Sequence, residues 1–332
     1  MLSNTKKRII LAFFDVLFSL FIWQINVSLG NPCYSTAFSE CFILSTTTFL
    51  IIYTPFEIYW SFRDLWFDRW INLSSKEIEV SEVKIDLKDG TLTANIIKNR
   101  NSAKVKLKNS IIVICHGFSD TKESLQYYCF PLAYQGYVVL TYDARGTGKS
   151  KRLGKRSDFL NRIEDFKKVI EWINLEKEFS KFKIFSIGFS IGAITTLCGG
   201  FLNHKIKKII AISSMSYYKQ NIPKYNPVVM LSYFLKHVKL FPNKEENEKL
   251  SPYLVIKNAK KDLTEEEWKK LSRRVMLVHC KNDKIIKFKN FEENRILLET
   301  PEKNLIILRK GGHSHKKNES SLVGATLSFF NS

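Results

Sequence analysis

The chain has 332 residues, 45% of them hydrophobic, so it is long and apolar enough to fold around a large core. Its six cysteines form no C-x-x-C pair, which excludes a dense disulfide framework and a zinc-finger type of metal site. The net charge is +20, and residues 1–75 contribute nothing to it because their acidic and basic side chains balance. The excess on residues 76–332 predicts an anionic partner. No nucleic-acid-binding motif is present, so anionic lipid headgroups are favoured over nucleic acid, and lysines spread evenly on a solvated surface are an equal alternative.

Two long apolar segments, residues 9–29 and 42–59, open the chain. Each is close to the ~20 residues that a helix needs to cross a bilayer. The segment between them lacks Lys and Arg, and the outer flanks carry Lys6, Lys7, Arg8, Arg63 and Arg69. The positive-inside rule therefore predicts a transmembrane helical hairpin in an N-terminal membrane region of residues 1–75, with both ends and the following domain in the cytoplasm.

Two other interpretations of these segments stay open. The first segment could be a cleaved signal peptide, with small residues near Ser28 and Gly30 at the cleavage site. Both segments could instead lie in the membrane interface or pack on the soluble domain. Asp15 interrupts the first segment, and because a carboxylate is costly in lipid, we expect it to face a partner helix or the headgroup region.

The soluble part is predicted to begin with an antiparallel hairpin. Apolar residues alternate over residues 79–87 and again over 92–97, and the Asp-Gly pair at 89–90 is a strong turn signal. The apolar run at 110–115 then predicts a buried strand, which ends in His-Gly-Phe at 116–118.

The block from residue 136 to 150 predicts another buried strand followed by a glycine-rich loop. Its end, Gly-Lys-Ser at 148–150, imitates a phosphate-binding loop, but the full pattern requires glycine where this chain has Asp143. A nucleotide site is therefore not expected, and Lys149 is assigned to a solvated loop. A helix with one apolar face is predicted over residues 158–178.

Residues 188–192, Gly-Phe-Ser-Ile-Gly, carry the most informative signal in the chain. An apolar strand precedes them and a helix-forming run follows, and a strand, a sharp turn and a helix together raise one serine hydroxyl clear of a sheet. Ser190 is therefore the predicted nucleophile. A tetrahedral intermediate needs two backbone N–H donors for its oxyanion, and we assign them to Ile191, directly after the nucleophile, and to Phe118.

A long interruption, residues 217–270, follows a predicted strand at 209–213. Its first half is apolar and aromatic, and its second half is charged, with a helix capping box at 264–267. This composition predicts extra helices between two strands of the sheet.

A serine hydroxyl needs a base that accepts its proton and an acid that orients the base. The runs 274–280 and 304–308 predict two further strands, and the polar loops after them contain Asp283 and His313. Both loops leave the edge of the sheet from which the serine also emerges. Because the chain order serine, aspartate, histidine is the one expected for this architecture, we predict a triad of Ser190, His313 and Asp283.

Alternatives to these assignments are weaker. His315 is the second choice for the base, but the two glycines before His313 let that loop bend back over the serine. Asp262 is disfavoured as the acid because it lies in a charged segment that is expected at the surface. The remaining histidines are expected to be structural or exposed, namely His116, His204, His237 and His279.

Together these motifs resemble the α/β-hydrolase family of serine hydrolases over residues 76–332. The loop Asp-Ala-Arg-Gly at 143–146 is similar to that of monoacylglycerol lipases, dienelactone hydrolases and the prolyl-peptidase and aminopeptidase branches. The resemblance implies an α/β fold with a doubly wound, mostly parallel sheet, preceded here by the N-terminal hairpin. It also implies a helical cap over the active site at 217–270, the alternative being helices that only pack on the sheet.

The expected function is that of a membrane-anchored serine hydrolase that cleaves an ester, thioester or amide and needs no metal or organic cofactor. The apolar insertion and the basic domain favour an esterase or lipase, with a small-molecule or lipid acyl substrate. A serine peptidase of the aminopeptidase type on the same triad is one alternative, because the fold alone does not separate these activities. A non-catalytic binding or scaffold protein on the same fold is the other.

Overall fold

The structure is a computed structural model, and it describes residues 4–28, 38–66, 76–100, 108–222, 227–235, 237–238 and 242–332. The chain divides into two compact units, Met1–Arg69 and Trp70–Ser332. Some features predicted from the sequence lie outside the described residues: most of the loop between the two apolar segments, the boundary at residue 75, and positions 223–226, 236 and 239–241 of the insertion.

The first unit contains two long helices, α1 (Asn4–Ser28) and α2 (Phe38–Trp66). Windows within them, Arg8–Ile25 and Phe42–Tyr59, have mean hydropathies of 1.9 and 1.3 and are long and apolar enough to cross a membrane. Most of their large apolar side chains are exposed.

Polar contacts between described residues join the helices of this unit. The Arg8 guanidinium lies 3.5 Å from the Glu57 carboxylate, and the Ser45 hydroxyl donates a hydrogen bond of 3.1 Å to the Ser19 carbonyl. The start of α1 therefore lies beside the end of α2, as in an antiparallel hairpin. Asp15 is 5% exposed, as expected of a side chain that faces a partner helix.

The second unit is built on one eight-stranded sheet in the order β1-β2-β4-β3-β5-β6-β7-β8. The strands are β1 (Ile78–Leu87), β2 (Gly90–Asn99), β3 (Ser110–Cys115), β4 (Val138–Tyr142), β5 (Lys183–Phe189), β6 (Ile206–Ile212), β7 (Val275–Cys280) and β8 (Leu305–Leu308). Only the pairings of β1 with β2 and of β2 with β4 are antiparallel. The predicted opening hairpin and the mostly parallel, doubly wound sheet are confirmed.

Helices cover both faces of the sheet, and further helices fill the predicted insertion. They are α3 (Gln126–Tyr134), α4 (Phe159–Leu175), α5 (Ile191–Gly200), α6 (Pro227–Leu235), α7 (Lys244–Leu250), α8 (Pro252–Lys260), α9 (Glu265–Arg273), α10 (Lys289–Leu298) and α11 (Glu319–Asn331). Local sequence determines where several begin. Asp158 accepts a hydrogen bond from the Asn161 N–H at the start of α4, and Thr264 forms the predicted capping box with Glu267 at the start of α9.

The core consists of two layers, one on each face of the sheet. In β3, Ile111 and Val113 pack in the layer that contains α4 and α5, whereas Ile112 and Ile114 pack in the layer that contains α3 and α11. Side chains alternate along a strand, so a strand covered on both faces must be apolar throughout. This explains why the central strands form unbroken apolar runs in the sequence.

The insertion between β6 and β7 divides into two parts. Ile256 of α8 and Trp268 of α9 belong to the main core layer against the sheet. Tyr218 and Tyr233, in contrast, join a separate apolar cluster with Ile191 and with neighbouring residues at the start of α5. The first part of the insertion therefore lies over the start of α5, and its last two helices belong to the layer that packs on the sheet.

Candidate active site

Ser190 lies at the turn between β5 and α5 with φ 55° and ψ −115°. A residue other than glycine rarely adopts this backbone conformation. Such backbone strain is typical of the serine at a nucleophile elbow. The two glycines of the motif make the turn possible. A Cβ at position 188 would overlap the backbone of Gly192, and one at 192 would overlap the Cys115 carbonyl at the end of β3.

The structure brings the three predicted triad residues into one hydrogen-bonded line. His313 Nε2 is 3.0 Å from Ser190 Oγ, and His313 Nδ1 is 2.8 Å from Asp283 Oδ2. Asp283 lies in the loop after β7 and His313 in the loop after β8, so two neighbouring strands deliver them to the same edge of the sheet. With Nδ1–H donating to the carboxylate, the lone pair of Nε2 faces the serine hydroxyl.

The carboxylate of Asp283 is buried and held at both oxygens. The N–H groups of Ile285 and Ile286 donate to Oδ1 at 2.8 and 2.9 Å, and Oδ2 accepts from His313. Burial by itself would raise the pKa of Asp283, but the hydrogen bonds from His313 and from the two N–H groups outweigh it and lower the pKa to about 2. The group is therefore an anion at neutral pH.

Two other buried histidines near this edge have structural contacts. His279 Nε2 donates to the Ile286 carbonyl at 2.8 Å, which supports the turn that carries the N–H donors of Asp283. His116 Nε2 accepts from the Ala144 N–H at 3.0 Å, and its Nδ1 is 2.7 Å from the Gly117 carbonyl. Burial lowers the pKa of His116 to about 4, so this ring is a neutral link between two loops.

The predicted oxyanion residues lie beside the elbow. Ile191 is the first residue of α5, directly after Ser190. Phe118 follows Gly117, and a Cβ at Gly117 would lie 3.7 Å from the Ser190 Cβ, so this loop passes close to the nucleophile. The Gly117 N–H donates to Asp120 Oδ2 at 3.2 Å, which anchors the loop.

An apolar pocket adjoins these two residues and is lined by Phe118, Phe159, Ile191, Met215, Tyr218, Asn221, Ile222, Tyr233 and Val238. The cavity itself has a volume of only about 10 Å³, which is the space of roughly one water molecule, so its own side chains nearly fill it. Phe118 contacts the rings of Phe159 and Tyr233 edge to face, with centroids 5.7 and 6.0 Å apart. The first part of the insertion thus forms one wall of this pocket.

The loop after β4 is stabilised by buried charges. Asp143 accepts from the N–H groups of Lys122 and Lys149 at 2.9 and 2.8 Å. Arg145 makes a bidentate ion pair with Asp165 of α4 at 2.7 and 2.6 Å. The side chain of Lys149 is exposed and pairs with Glu82, as expected of a solvated loop.

Comparison with known proteins supports the resemblance found in the sequence. The sequence profile of the family described as serine aminopeptidase, S33, matches residues 107–267, which contain the elbow. The chain has the α/β-hydrolase fold, and the family profile that it matches is one of serine hydrolases. No curated protein matches its sequence.

Solved structures similar to this α/β hydrolase include both esterases and peptidases. An esterase of Pyrococcus furiosus is 21% identical, with a TM-score of 0.55 over 79% of this chain and 94% of that one. An α/β serine hydrolase without a lid from Xanthomonas campestris is 15% identical, with a TM-score of 0.51 over 79% and 97%. The acylaminoacyl peptidase of Pyrococcus horikoshii is 18% identical, with a TM-score of 0.56 over 81% and 43%.

Sequence reasoning did not identify Ser213 of this α/β hydrolase, which contacts the triad acid. Its hydroxyl donates to Asp283 Oδ2 at 3.0 Å and lies 3.2 Å from His315 Nε2. A signal was available, because Ser213 directly follows β6 at the edge of the sheet where Ser190 and Asp283 emerge. Asp262, the disfavoured acid, is exposed, as are His204 and His237.

Proposed function

We propose that this α/β hydrolase cleaves carboxylic esters of small apolar acyl groups through a triad of Ser190, His313 and Asp283. The observation that carries the proposal is the position of the His313 ring, with Nε2 3.0 Å from the serine hydroxyl and Nδ1 2.8 Å from the carboxylate. An imidazole held in this way can accept the hydroxyl proton at one nitrogen while the other stays bonded to the anion. This chemistry needs no metal ion or organic cofactor.

In the acylation half of the reaction, Ser190 Oγ attacks the ester carbonyl as its proton moves to His313 Nε2. The anionic Asp283 stabilises the imidazolium that forms. The carbonyl oxygen becomes an oxyanion, for which the backbone N–H groups of Phe118 and Ile191 are the assigned donors. The tetrahedral intermediate collapses as His313 gives its proton to the leaving alcohol, and the acyl group remains on Ser190.

In the deacylation half, His313 accepts a proton from a water molecule, and the oxygen of that water attacks the acyl carbon. The same two N–H groups hold the second oxyanion. Collapse of this intermediate returns the proton from His313 to Ser190 Oγ and releases the carboxylic acid. The apolar pocket beside Phe118 and Ile191 would hold the acyl chain during both halves.

The uncharged lining of the pocket favours an acyl group over a free peptide N-terminus as the bound group. An ammonium group needs a carboxylate or several carbonyls around it when it leaves water. None of the described residues that line the pocket is charged, and the sequence has no Asp or Glu from residue 179 to 244, which includes most of the pocket wall. A serine peptidase is the second candidate function, and the S33 family profile is the observation that favours it.

A fluorophosphonate probe tests the triad. It should label the wild type and fail to label Ser190→Ala, and both Ser190→Ala and His313→Ala should lose ~10⁴- to 10⁶-fold in kcat. Ser180→Ala, in an exposed turn, is the matched control and should keep full activity. Absence of labelling in folded wild type would reject the triad and favour a scaffold protein.

A substrate panel separates the two activities. p-Nitrophenyl esters of increasing chain length are compared with aminoacyl p-nitroanilides that carry a free amino group. We expect turnover of the esters, with the shorter chains preferred because the pocket is small. Higher kcat/KM on the aminoacyl anilides would transfer the assignment to the peptidase.

A membrane-anchored enzyme is the second part of the proposal. The first unit supports it, because its two helices are long and apolar enough to cross a membrane and most of their large apolar side chains are exposed. The arrangement of basic residues favours a cytoplasmic hydrolase unit. A cleaved signal peptide would instead leave a mature chain without α1.

An anionic lipid surface is the proposed macromolecular partner, with no role for nucleic acid. Leu231, Phe234 and Leu235 of α6 are 58–68% exposed beside the pocket wall, and Lys219 and Lys244 are exposed on either side of them in the chain. Exposed apolar groups among cations suit a surface of anionic headgroups. Vesicle-presented ester should be hydrolysed faster when the vesicles contain phosphatidylserine, and equal rates on pure phosphatidylcholine vesicles would reject this partner.

A further inference from the structure

A second histidine is connected to the acid of the proposed triad through one hydroxyl. Ser213 directly follows β6, and its Oγ donates to Asp283 Oδ2 at 3.0 Å. His315 lies two residues after His313 in the loop that follows β8, and its Nε2 is 3.2 Å from the same Oγ. Ser213 and His315 are 1% and 3% exposed, so water does not replace these contacts.

The number of available protons determines the direction of these hydrogen bonds. Asp283 is ionised, so Oδ2 can only accept. The single hydroxyl proton of Ser213 therefore points to Oδ2, and only the lone pairs of Oγ remain for His315. It follows that His315 carries a proton on Nε2 and donates it to Ser213.

We propose that His315 and Ser213 are positioning residues that orient the Asp283 carboxylate through the line His315 Nε2–H to Ser213 Oγ–H to Asp283 Oδ2. The assignment rests on the proposed triad. Donation from His315 polarises the serine hydroxyl and strengthens its bond to Oδ2. Oδ2 is also the oxygen that accepts from His313 Nδ1, so the line holds the acceptor of the base in place.

The contacts of Asp283 Oδ1 explain why the Ser213 hydroxyl matters at Oδ2. The N–H groups of Ile285 and Ile286 hold Oδ1, whereas without Ser213 the donor to Oδ2 would be His313, the ring that the carboxylate has to orient, and the carboxylate could still turn about the Cβ–Cγ bond. The Ser213 hydroxyl restrains Oδ2 from the direction of β6. A tilt would move Oδ2 away from Nδ1 and turn Nε2 away from Ser190, and misplacement by about 1 Å costs roughly 100-fold in rate.

The backbone of both residues is arranged for this contact. Ser213 and His315 have φ angles of 50° and 54°, in the left-handed region that residues with a side chain rarely adopt. Such a conformation is strained and persists only where the surrounding structure holds it. The Ser213 N–H bonds to the Val278 carbonyl of β7, and the His315 carbonyl accepts from the Asn318 N–H.

Substitutions at His315 and Ser213 test the proposal in the full-length protein in detergent. His315→Leu and Ser213→Ala should each lower kcat about 10- to 100-fold with little change in KM, because the line orients catalytic groups and does not contact substrate. In His315→Gln the side-chain amide can still donate, so this variant should recover most of the loss. His204→Leu, in an exposed turn before β6, is the matched control and should leave kcat unchanged.

A double-mutant cycle separates positioning from a role in folding. If His315 acts through Ser213, His315→Leu should cause no further loss in the Ser213→Ala background. Full additivity of the two losses, or unchanged kcat in both single variants, would overturn the proposal. Should His315→Leu fail to fold, the comparison of Ser213→Ala with wild type decides alone.

A fluorophosphonate probe keeps failure of this proposal distinct from failure of the triad. If the probe labels Ser190 in the wild type but the two positioning variants react at the wild-type rate, only the line through Ser213 is rejected. If the wild type is not labelled, the triad fails and the positioning role fails with it.

Discussion

Asp283 illustrates how a single residue can remain charged inside a protein. Its carboxylate is 5% exposed, and burial alone would favour the protonated form. The hydrogen bond from His313 Nδ1–H, the charge of the His313 ring and the N–H groups of Ile286 and Ile285 outweigh that effect. With its pKa lowered to about 2, the group can stabilise a cation on His313 throughout the physiological pH range.

We expect Asp283→Asn to lower kcat by ~10⁴-fold without unfolding the protein. Asparagine keeps the shape of the side chain, but it is neutral and no longer stabilises an imidazolium. Steady-state hydrolysis of a p-nitrophenyl ester measures the loss, and circular dichroism checks the fold. Asp262→Asn, at an exposed position, is the control, and unchanged kinetics in Asp283→Asn would remove Asp283 from the mechanism.

Among the elements, α4 and the loop after β4 depend on each other through Arg145 and Asp165. Both side chains are 4% exposed, and the ion pair is bidentate. The same loop contains Ala144, whose N–H bonds to His116 beside Gly117 and Phe118. The pair therefore supports, through two loops, the side of the site where the oxyanion is expected.

We expect Asp165→Asn to destabilise the protein by at most about 3–5 kcal/mol. The buried Arg145 guanidinium loses its one buried carboxylate partner among the described residues and keeps the more exposed Asp89 at 3.0 Å and Asp158 at 3.7 Å. Glu164→Gln is the matched control. It breaks only the exposed pair with Lys167, which is worth ~1 kcal/mol or less. Urea unfolding in detergent measures both variants. Equal and small effects would mean that the buried pair contributes no more than a surface pair.

The helices of the insertion between β6 and β7 have two different roles. Its last two helices cover the sheet, whereas α6 contributes Tyr233 to the pocket wall against Phe118. Because the pocket is small and Tyr233 is a large ring at its wall, this residue is expected to limit the length of the acyl chain.

Tyr233→Ala should shift the preference of the enzyme toward longer acyl chains. Each additional methylene that the enlarged pocket buries is worth ~0.8 kcal/mol, or roughly 4-fold in kcat/KM. Rates over a series of p-nitrophenyl esters measure the shift, with Tyr134→Ala on α3 as a control, since that ring is 36% exposed. An unchanged chain-length profile would place the acyl chain elsewhere.

At the scale of the whole molecule, charge and apolar surface are divided between the two units. The net charge of +20 belongs to residues 76–332, and the two helices of spanning length belong to the first unit. Two apolar helices and a basic domain in one chain suit the proposed enzyme at an anionic bilayer, which would raise the local concentration of lipid substrates.

The topology can be tested with an impermeant maleimide on intact cells. We expect labelling of Cys33, which lies between the two apolar segments, and no labelling of a cysteine introduced at Ser332 until the cells are lysed. The described cysteines of the hydrolase unit, Cys115, Cys129, Cys198 and Cys280, are buried or half-buried and should give a low background. Labelling at Ser332 in intact cells would overturn the cytoplasmic orientation.

The sequence by itself determined the features that depend on short-range sterics and on burial patterns. The glycines at 188 and 192 allow a strand, sharp turn and helix around Ser190 because side chains there would overlap nearby backbone. Unbroken apolar runs predicted the buried parallel strands, and the Asp-Gly pair predicted the opening hairpin. The capping box at Thr264 predicted the start of α9 for the same local reason.

Only the tertiary structure decided which groups meet across the sheet. The sequence did not decide between His313 and His315 as the base. The loop after β8 places the His313 ring at Ser190 and the His315 ring against Ser213, which contacts Asp283. The tertiary structure also decided that α8 and α9 pack on the sheet while α6 lines the pocket. These contacts join residues that are tens to more than 100 positions apart, and no local pattern specifies them. They depend on strand order, on the path of each loop and on close packing, which exist only in the folded chain.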